Sequence, residues 1–156
     1  MPKQTFFNLD PTKRQAVIDA AVEEFAQFAY EQASLTKIVE QCGIAKGSMY
    51  QYFTDKLDLY LYVVDLAYEK KRSYVSQAFA QEGDIFAVLE EYYLQSYEFA
   101  RKHPLLHQVA NKFWDSKAEV LRPQLEEGRL SRARDFAQFL SDAMERGNVN
   151  PSLDPE

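Results

Sequence analysis

Residues 46–53, with the sequence K-G-S-M-Y-Q-Y-F, combine side chains that suit contact with nucleic acid. At about 100° per helical residue, Met49 and Phe53 fall on one face and Gln51 falls on the opposite face. A glutamine amide can pair with the N6 and N7 atoms of adenine, and a glycine such as Gly47 lets a partner approach the backbone closely. The pattern therefore predicts a helix that packs through one face and contacts base edges with the other.

The predicted contact surface extends from this face to the residues on either side of it. Ser48 adds a hydroxyl beside the amide, and the side chains at the two edges of the face are a lysine and two tyrosines, which suit phosphate. Polar residues at the start of the preceding helix and of the following helix could grip the DNA backbone as well. The complete predicted set is Ser34, Thr36, Lys37, Lys46, Gly47, Ser48, Tyr50, Gln51, Tyr52 and Lys56.

Three short helices must position this surface. The first begins with Asp10 as N-cap and Pro11 at the first helical position, and it should end near Tyr30. The second covers Leu35 to Cys42 and stops at Gly43, and the third is residues 46–53. The inward-facing side chains are predicted to be Ile38, Cys42, Ile44, Met49 and Phe53. This arrangement is the helix-turn-helix, whose last helix enters the DNA major groove. The alternative is an ordinary helical hairpin with a solvated polar face.

The rest of the chain also has helical periodicity. Thr54 can cap a long helix that runs from Asp55 to about Gln81 and stops at Gly83. Asp84 caps another helix, which reaches the His103-Pro104 boundary, and further helices start at Pro104 and cover about Gln124 to Arg146. With five glycines, six prolines and few alternating segments, the sequence predicts an all-α fold.

Composition excludes several classes of protein. The net charge of −6 argues against an indiscriminate nucleic-acid binder, and no apolar run is long enough to span a membrane. The N-terminus lacks a signal peptide and the only cysteine cannot form an internal disulfide, so the predicted location is the cytoplasm. His103 and His107 have metal-ligand spacing, but no further ligand completes a site. No motif for catalysis or for a cofactor is present, so we expect neither an enzyme nor a metalloprotein.

The string Gly-x-x-x-Gly-x-x-Tyr-x-x-Phe-x-x-Lys, at residues 43–56, resembles the DNA-binding domain of tetracycline-repressor-like (TetR family) regulators. The resemblance covers about residues 10–62 and implies a homodimeric transcription regulator, usually a repressor, with a helical ligand-binding domain. It further implies phosphate contacts at Tyr50 and Lys56. Groove contacts are implied at Lys46, Ser48, Gln51 and Tyr52. Two alanines depart from the family pattern, Ala29 at the end of the first helix and Ala45 at the N-cap of the third.

The resemblance predicts a DNA-binding domain over residues 1–54 and a helical ligand-binding and dimerisation domain over residues 55–156. Aromatic side chains crowd the second domain, and they either pack its core or line a pocket for a small apolar or aromatic effector. The candidate pocket residues are Leu61, Val64, Tyr68, Tyr93, Tyr97, His107 and Trp114.

The partners expected from this interpretation are a double-stranded DNA operator, an effector and a second copy of the chain. TetR-like proteins usually pair through two final helices, whereas this sequence closes on a helix-start signal at Asp154-Pro155. We therefore expect either a C-terminally truncated chain or another mode of dimerisation. A rival hypothesis is a helical small-molecule-binding module that has lost DNA binding.

Overall fold

The computed structural model of this chain describes residues 1–76, 78 and 84–147. Within those residues the regular structure is helical and contains no β-strand, which confirms the predicted all-α fold. The helices α1 to α8 span Gln4–Phe7, Pro11–Gln27, Leu35–Gln41, Lys46–Tyr52, Lys56–Val75, Ile85–Lys102, Pro104–Trp114 and Arg122–Glu145, and a short 3₁₀ helix covers Glu119–Leu121. Among these described residues no helix is both long and apolar enough to cross a membrane.

Aspartate side chains start two of the predicted helices. The Asp10 carboxylate accepts hydrogen bonds from the backbone N–H groups of Thr12 and Lys13 at 3.0 and 3.3 Å. The Asp84 carboxylate accepts the equivalent bonds from Phe86 and Ala87 at 2.6 and 3.3 Å. These bonds satisfy amide groups that a helix leaves without internal partners, so both predicted starts are confirmed.

The predicted cap of α5 was wrong by one residue. Asp55, not Thr54, provides the side-chain acceptor, and its carboxylate accepts from the Asp58 N–H at 2.8 Å. Thr54 takes part through its backbone, since its N–H donates to the Asp58 carboxylate at 3.0 Å. The reason is geometric, because the capping side chain must directly precede the first helical residue, which is Lys56.

Other boundaries also differ from the predicted ones. Helix α2 ends at Gln27, short of the predicted Tyr30, because Phe28 is already extended, with φ of −115° and ψ of 146°. Helix α1 was not predicted at all. Helix α5 ends at Val75, short of the predicted Gln81, and Ser76 already lies in a turn. The predicted stop at Gly83 and the Asp154-Pro155 signal lie outside the described residues.

The chain divides into two compact units. Unit 1 comprises Met1–Lys71 and Phe99–Ser116, and unit 2 comprises Arg72–Glu98 and Lys117–Glu156. In unit 1, α7 and α3 both pack against α2, and in unit 2 the 3₁₀ helix contacts α8. These units are defined by packing. The boundary predicted at residue 54 divides the chain by function, into a DNA-binding and a ligand-binding domain, and it stays a prediction.

The core of unit 1 is built from several helices around α2. Its fully buried aromatic residues are Phe6, Phe25, Phe53, Tyr60 and Phe99. Glu24 is the buried charged residue, and its carboxylate accepts a hydrogen bond from the Ser34 N–H at 2.7 Å. That bond fixes the start of α3 relative to α2, because a buried carboxylate is stable only when it is paired or hydrogen-bonded.

Candidate nucleic-acid interface

The turn between α3 and α4 depends on one glycine. Gly43 has a φ of 67°, which is the left-handed conformation that side chains other than glycine rarely adopt. Around it, the Gly43 N–H donates to the Glu40 carbonyl at 3.3 Å and the Ile44 N–H donates to the Val39 carbonyl at 3.0 Å. The predicted stop of α3 is therefore confirmed, and the chain reverses within a few residues to begin α4.

The inner face of α4 is held by buried apolar side chains. Ile38, Met49 and Phe53 are at most 2% exposed, as the helical spacing predicted, whereas Ile44 and Cys42 are half-buried. Burial raises the pKa of the Cys42 thiol, which keeps it protonated at neutral pH. The inner face thus fixes which side of α4 points outward.

The outer face of α4 is polar and open. Lys46, Gly47, Tyr50 and Gln51 are exposed, and Ser48 is half-buried. A Cβ atom built on Gly47 would meet no protein atom within 4 Å, so packing inside the protein does not require a glycine there. The surface instead leaves room for an external partner to approach the backbone of α4.

The two ends of α4 differ. At its start, Ala45 adopts the extended N-cap conformation without a side-chain hydrogen bond, as its residue type dictates. At its end, the carbonyls of Tyr50, Gln51 and Tyr52 accept hydrogen bonds from the segment that contains α1. The Tyr52 ring is half-buried beside Phe6, with ring centroids 6.2 Å apart. Sequence reasoning missed this segment, although the Phe6-Phe7 pair in a polar N-terminus was an available signal.

The predicted residues at the start of α3 have distinct environments. Ser34 caps α3, since its hydroxyl accepts from the Lys37 N–H at 3.4 Å. Thr36 and Lys37 are exposed, and the Lys37 ammonium lies 4.7 Å from the centroid of the Phe28 ring. This end of α3 therefore presents one hydroxyl and one ammonium to solvent.

Lys56 contacts protein groups on the loop between α2 and α3. Its ammonium donates to the carbonyls of Tyr30, Ala33 and Glu31 at 2.7, 3.2 and 3.4 Å. It also lies 4.5 Å from the centroid of the Tyr30 ring, within the range of a cation–π contact. Lys56 was predicted to contact phosphate. In the chain without DNA, its ammonium bonds to backbone carbonyls of the loop between α2 and α3.

The candidate effector residues fall into both compact units. In unit 1, the rings of Tyr68 and Trp114 have centroids 6.4 Å apart, and both lie against Phe113 at 6.4 and 5.4 Å. In unit 2, Tyr93 and Tyr97 are 68% and 66% exposed. The structure therefore brings together two of the predicted residues in one aromatic cluster, which we call the Trp114 cluster (Tyr68, Phe113 and Trp114).

Three further candidates belong to unit 1. Val64 is buried and Leu61 is half-buried on α5. His107 lies edge-on to Phe99, with centroids 6.2 Å apart, and its Nε2 is 3.1 Å from the Asn111 side-chain amide. The Asn111 amide therefore orients the His107 imidazole.

Comparison with known proteins gives a consistent result. Residues 17–63 match the family model described as bacterial regulatory proteins of the tetR family. The crystal structure of a TetR family transcriptional regulator from Chloroflexus aurantiacus J-10-FL is 35% identical, with a TM-score of 0.79. That match covers 99% of this chain and 72% of the other.

Two curated proteins are similar over different lengths. The HTH-type transcriptional repressor ComR of Escherichia coli K12 is 26% identical over 149 residues, which cover 90% of this chain and 70% of ComR. The fatty acid metabolism regulator protein of Bacillus subtilis strain 168 is 37% identical over 65 residues, which cover 42% of this chain and 32% of that protein. The helix-turn-helix geometry, the family match and the likeness over 99% of this chain agree, and the chain belongs to the TetR family of DNA-binding transcriptional regulators.

Proposed function

We propose that this chain represses transcription by binding a palindromic operator as a homodimer, with α4 in the major groove of each half-site. The observation that carries the proposal is that α4 has one buried apolar face and one exposed polar face. Buried Met49 and Phe53 fix the helix to the body of unit 1, while Gly47 and Gln51 stay exposed on the outer face. A helix with this division can approach base edges without losing its packing.

Within this proposal the side chains have different roles. Gln51 pairs with an adenine, and Ser48 and Lys46 contact neighbouring groups in the groove. The exposed side chains of Thr36, Lys37 and Tyr50 contact phosphates on either side. Ser34 and Lys56 already bond to protein groups, so we propose that they act mainly by holding α3 and its loop in place.

Selection from random DNA duplexes tests the proposal directly. We expect the chain to enrich a palindrome whose half-site centres lie about 34 Å apart, with two chains bound per duplex in sedimentation experiments. Failure to enrich any sequence at low salt would support the rival, a helical module that binds small molecules only. Neither the fold nor the related regulators favour that rival.

Substitution of Gln51 tests its predicted contact. Gln51→Ala should lose about 1–3 kcal/mol of discrimination at one base pair of each half-site, because the amide can no longer pair with adenine. The measurement is a binding isotherm against operators mutated singly at each position. Preference unchanged at every position would remove Gln51 from the base contacts.

We also propose regulation by a small apolar or aromatic effector. The supporting observation in this chain is the Trp114 cluster, which lies on α5 and α7 within unit 1. Because α5 contributes residues to both units, a ligand that displaced it could alter operator affinity. A relative named for fatty acid metabolism makes fatty acids sensible test compounds. We propose no catalytic activity for the chain, since its named relatives are regulators.

A further inference from the structure

The last turn of α4 is attached to the segment Lys3–Phe7, which we call the N-terminal segment and which lies outside residues 17–63, where the family model matches. The Lys3 N–H donates to the Tyr52 carbonyl at 2.8 Å, and the Lys3 ammonium donates to the Tyr50 carbonyl at 2.8 Å. The Thr5 hydroxyl donates to the carbonyl between them, that of Gln51. Three successive carbonyls of α4 therefore have donors on one short segment.

These bonds matter because α4 has only seven residues. The last carbonyls of a helix lack partners inside it, and so short a helix is unstable without contacts from the rest of the protein. A lysine ammonium at the C-terminal end also has the sign that favours the helix dipole. The N-terminal segment thus provides hydrogen-bond partners for the last carbonyls of α4, whereas the Ala45 side chain provides none for the first N–H groups.

The N-terminal segment is itself fixed on two sides. Phe6 is fully buried, and its ring lies 4.8 Å from that of Phe53 and 5.5 Å from that of Tyr62 between centroids. The Phe7 carbonyl accepts a hydrogen bond from the Arg14 guanidinium on α2 at 3.0 Å. Lys3 and Thr5 therefore donate from a segment that is anchored to α2 and to the core of unit 1, so that they can orient α4.

We propose that Lys3 and Thr5 are positioning residues for operator recognition, which hold the backbone around Gln51 in place without contacting DNA. The proposal rests on the proposed function, since it concerns how α4 is aimed at base edges. Gln51 carries the side chain predicted to contact adenine, and its own carbonyl is the acceptor for Thr5. Loss of the two donors should therefore reduce operator recognition more than binding to unrelated DNA.

The test uses the full chain and the palindrome obtained by selection. The variants are Lys3→Met, Thr5→Val and the double variant, with Lys3→Arg as a conservative rescue. Gln4→Ala is the matched control, because Gln4 is exposed and its side chain bonds to Asn8 rather than to α4. Each single variant should lose about two- to tenfold in operator affinity, while affinity for random duplex changes less. Lys3→Arg and Gln4→Ala should bind like the wild type.

Two further readouts distinguish positioning from other roles. The slope of log affinity against log salt should stay constant in Lys3→Met, whereas loss of a phosphate contact would reduce it by about 0.9. Without DNA, amide hydrogen exchange should accelerate in residues 50–53 and not in α2 or α7. A reduced salt slope, faster exchange throughout unit 1, or an unchanged operator preference in the double variant would each overturn the inference. If the wild type itself has no operator preference, the proposed function fails instead.

Discussion

Lys56 places its charge where three backbone carbonyls converge. The acceptors belong to Tyr30, Glu31 and Ala33, and the Tyr30 ring covers the ammonium. These acceptors lie in the loop between α2 and α3, so this side chain connects the start of α5 to the loop that precedes α3. A charged donor with several acceptors contributes more than a neutral hydrogen bond, provided that it is partly shielded from water, and Lys56 is half-buried.

Replacing Lys56 should therefore reduce stability before it affects phosphate binding. For Lys56→Met we expect the free energy of unfolding to fall by about 1–3 kcal/mol, measured by urea denaturation, with the salt dependence of DNA binding retained. The matched control is Lys37→Met, which removes an exposed ammonium at the start of α3. It should reduce the salt slope by about 0.9 and change stability little. A reversed pattern between the two variants would assign the phosphate contact to Lys56.

At the scale of single elements, α4 is held at its two ends in different ways. Its C-terminal end is bonded to the N-terminal segment, and its first turn lacks a side-chain acceptor because the N-cap is Ala45. The Ala45 backbone is extended, with φ of −68° and ψ of 142°, a conformation that serine also adopts as an N-cap. Only the side chain is missing.

Ala45→Ser should therefore stabilise the protein. The serine hydroxyl can accept from an N–H in the first turn of α4, and we expect a gain of about 1 kcal/mol in the free energy of unfolding. Ala45→Val is the control, because it enlarges the side chain without supplying an acceptor and valine is no better an N-cap than alanine. Urea denaturation measures both, and hydrogen exchange in α4 shows where the change occurs. A serine variant no more stable than the wild type would mean that water already satisfies these amides.

Elements whose ends depend on local chemistry were predictable from the sequence. Asp10 and Asp84 cap their helices and Gly43 ends α3, because each acts on residues a few positions away. Helix α1 was missed because four residues do not form a helix alone, and the burial of Phe6 against Phe53 is a contact between distant parts of the sequence. The bonds of Lys56 were missed for the same reason, since residue type alone suggests phosphate as readily as carbonyls.

For the whole molecule, the described residues form two units of different character. Unit 1 contains α4 and also the Trp114 cluster, so the proposed DNA surface and part of the proposed effector site share one compact body. In unit 2 several large apolar side chains are more than half exposed. They are Phe86, Tyr93, Leu94, Tyr97, Leu130 and Phe136. We therefore look for the proposed effector contact first in unit 1, where two of the candidate residues, Tyr68 and Trp114, lie in one cluster.

The intrinsic fluorescence of Trp114, the only tryptophan, can detect that contact. An apolar ligand that binds beside the Trp114 cluster changes the polarity around the indole, so its emission should shift saturably. A panel of fatty acids and aromatic compounds supplies the ligands. Tyr68→Leu should weaken binding of an active ligand by at least about fivefold, since it removes a ring from the cluster. Tyr93→Leu, which alters an exposed tyrosine of unit 2, should leave the binding of that ligand unchanged.

The same ligand should release the operator duplex from the wild-type chain at the concentration that saturates the emission change. Release of DNA without any change in emission would place the effector away from Trp114, and an effect of Tyr93→Leu larger than that of Tyr68→Leu would assign the contact to unit 2.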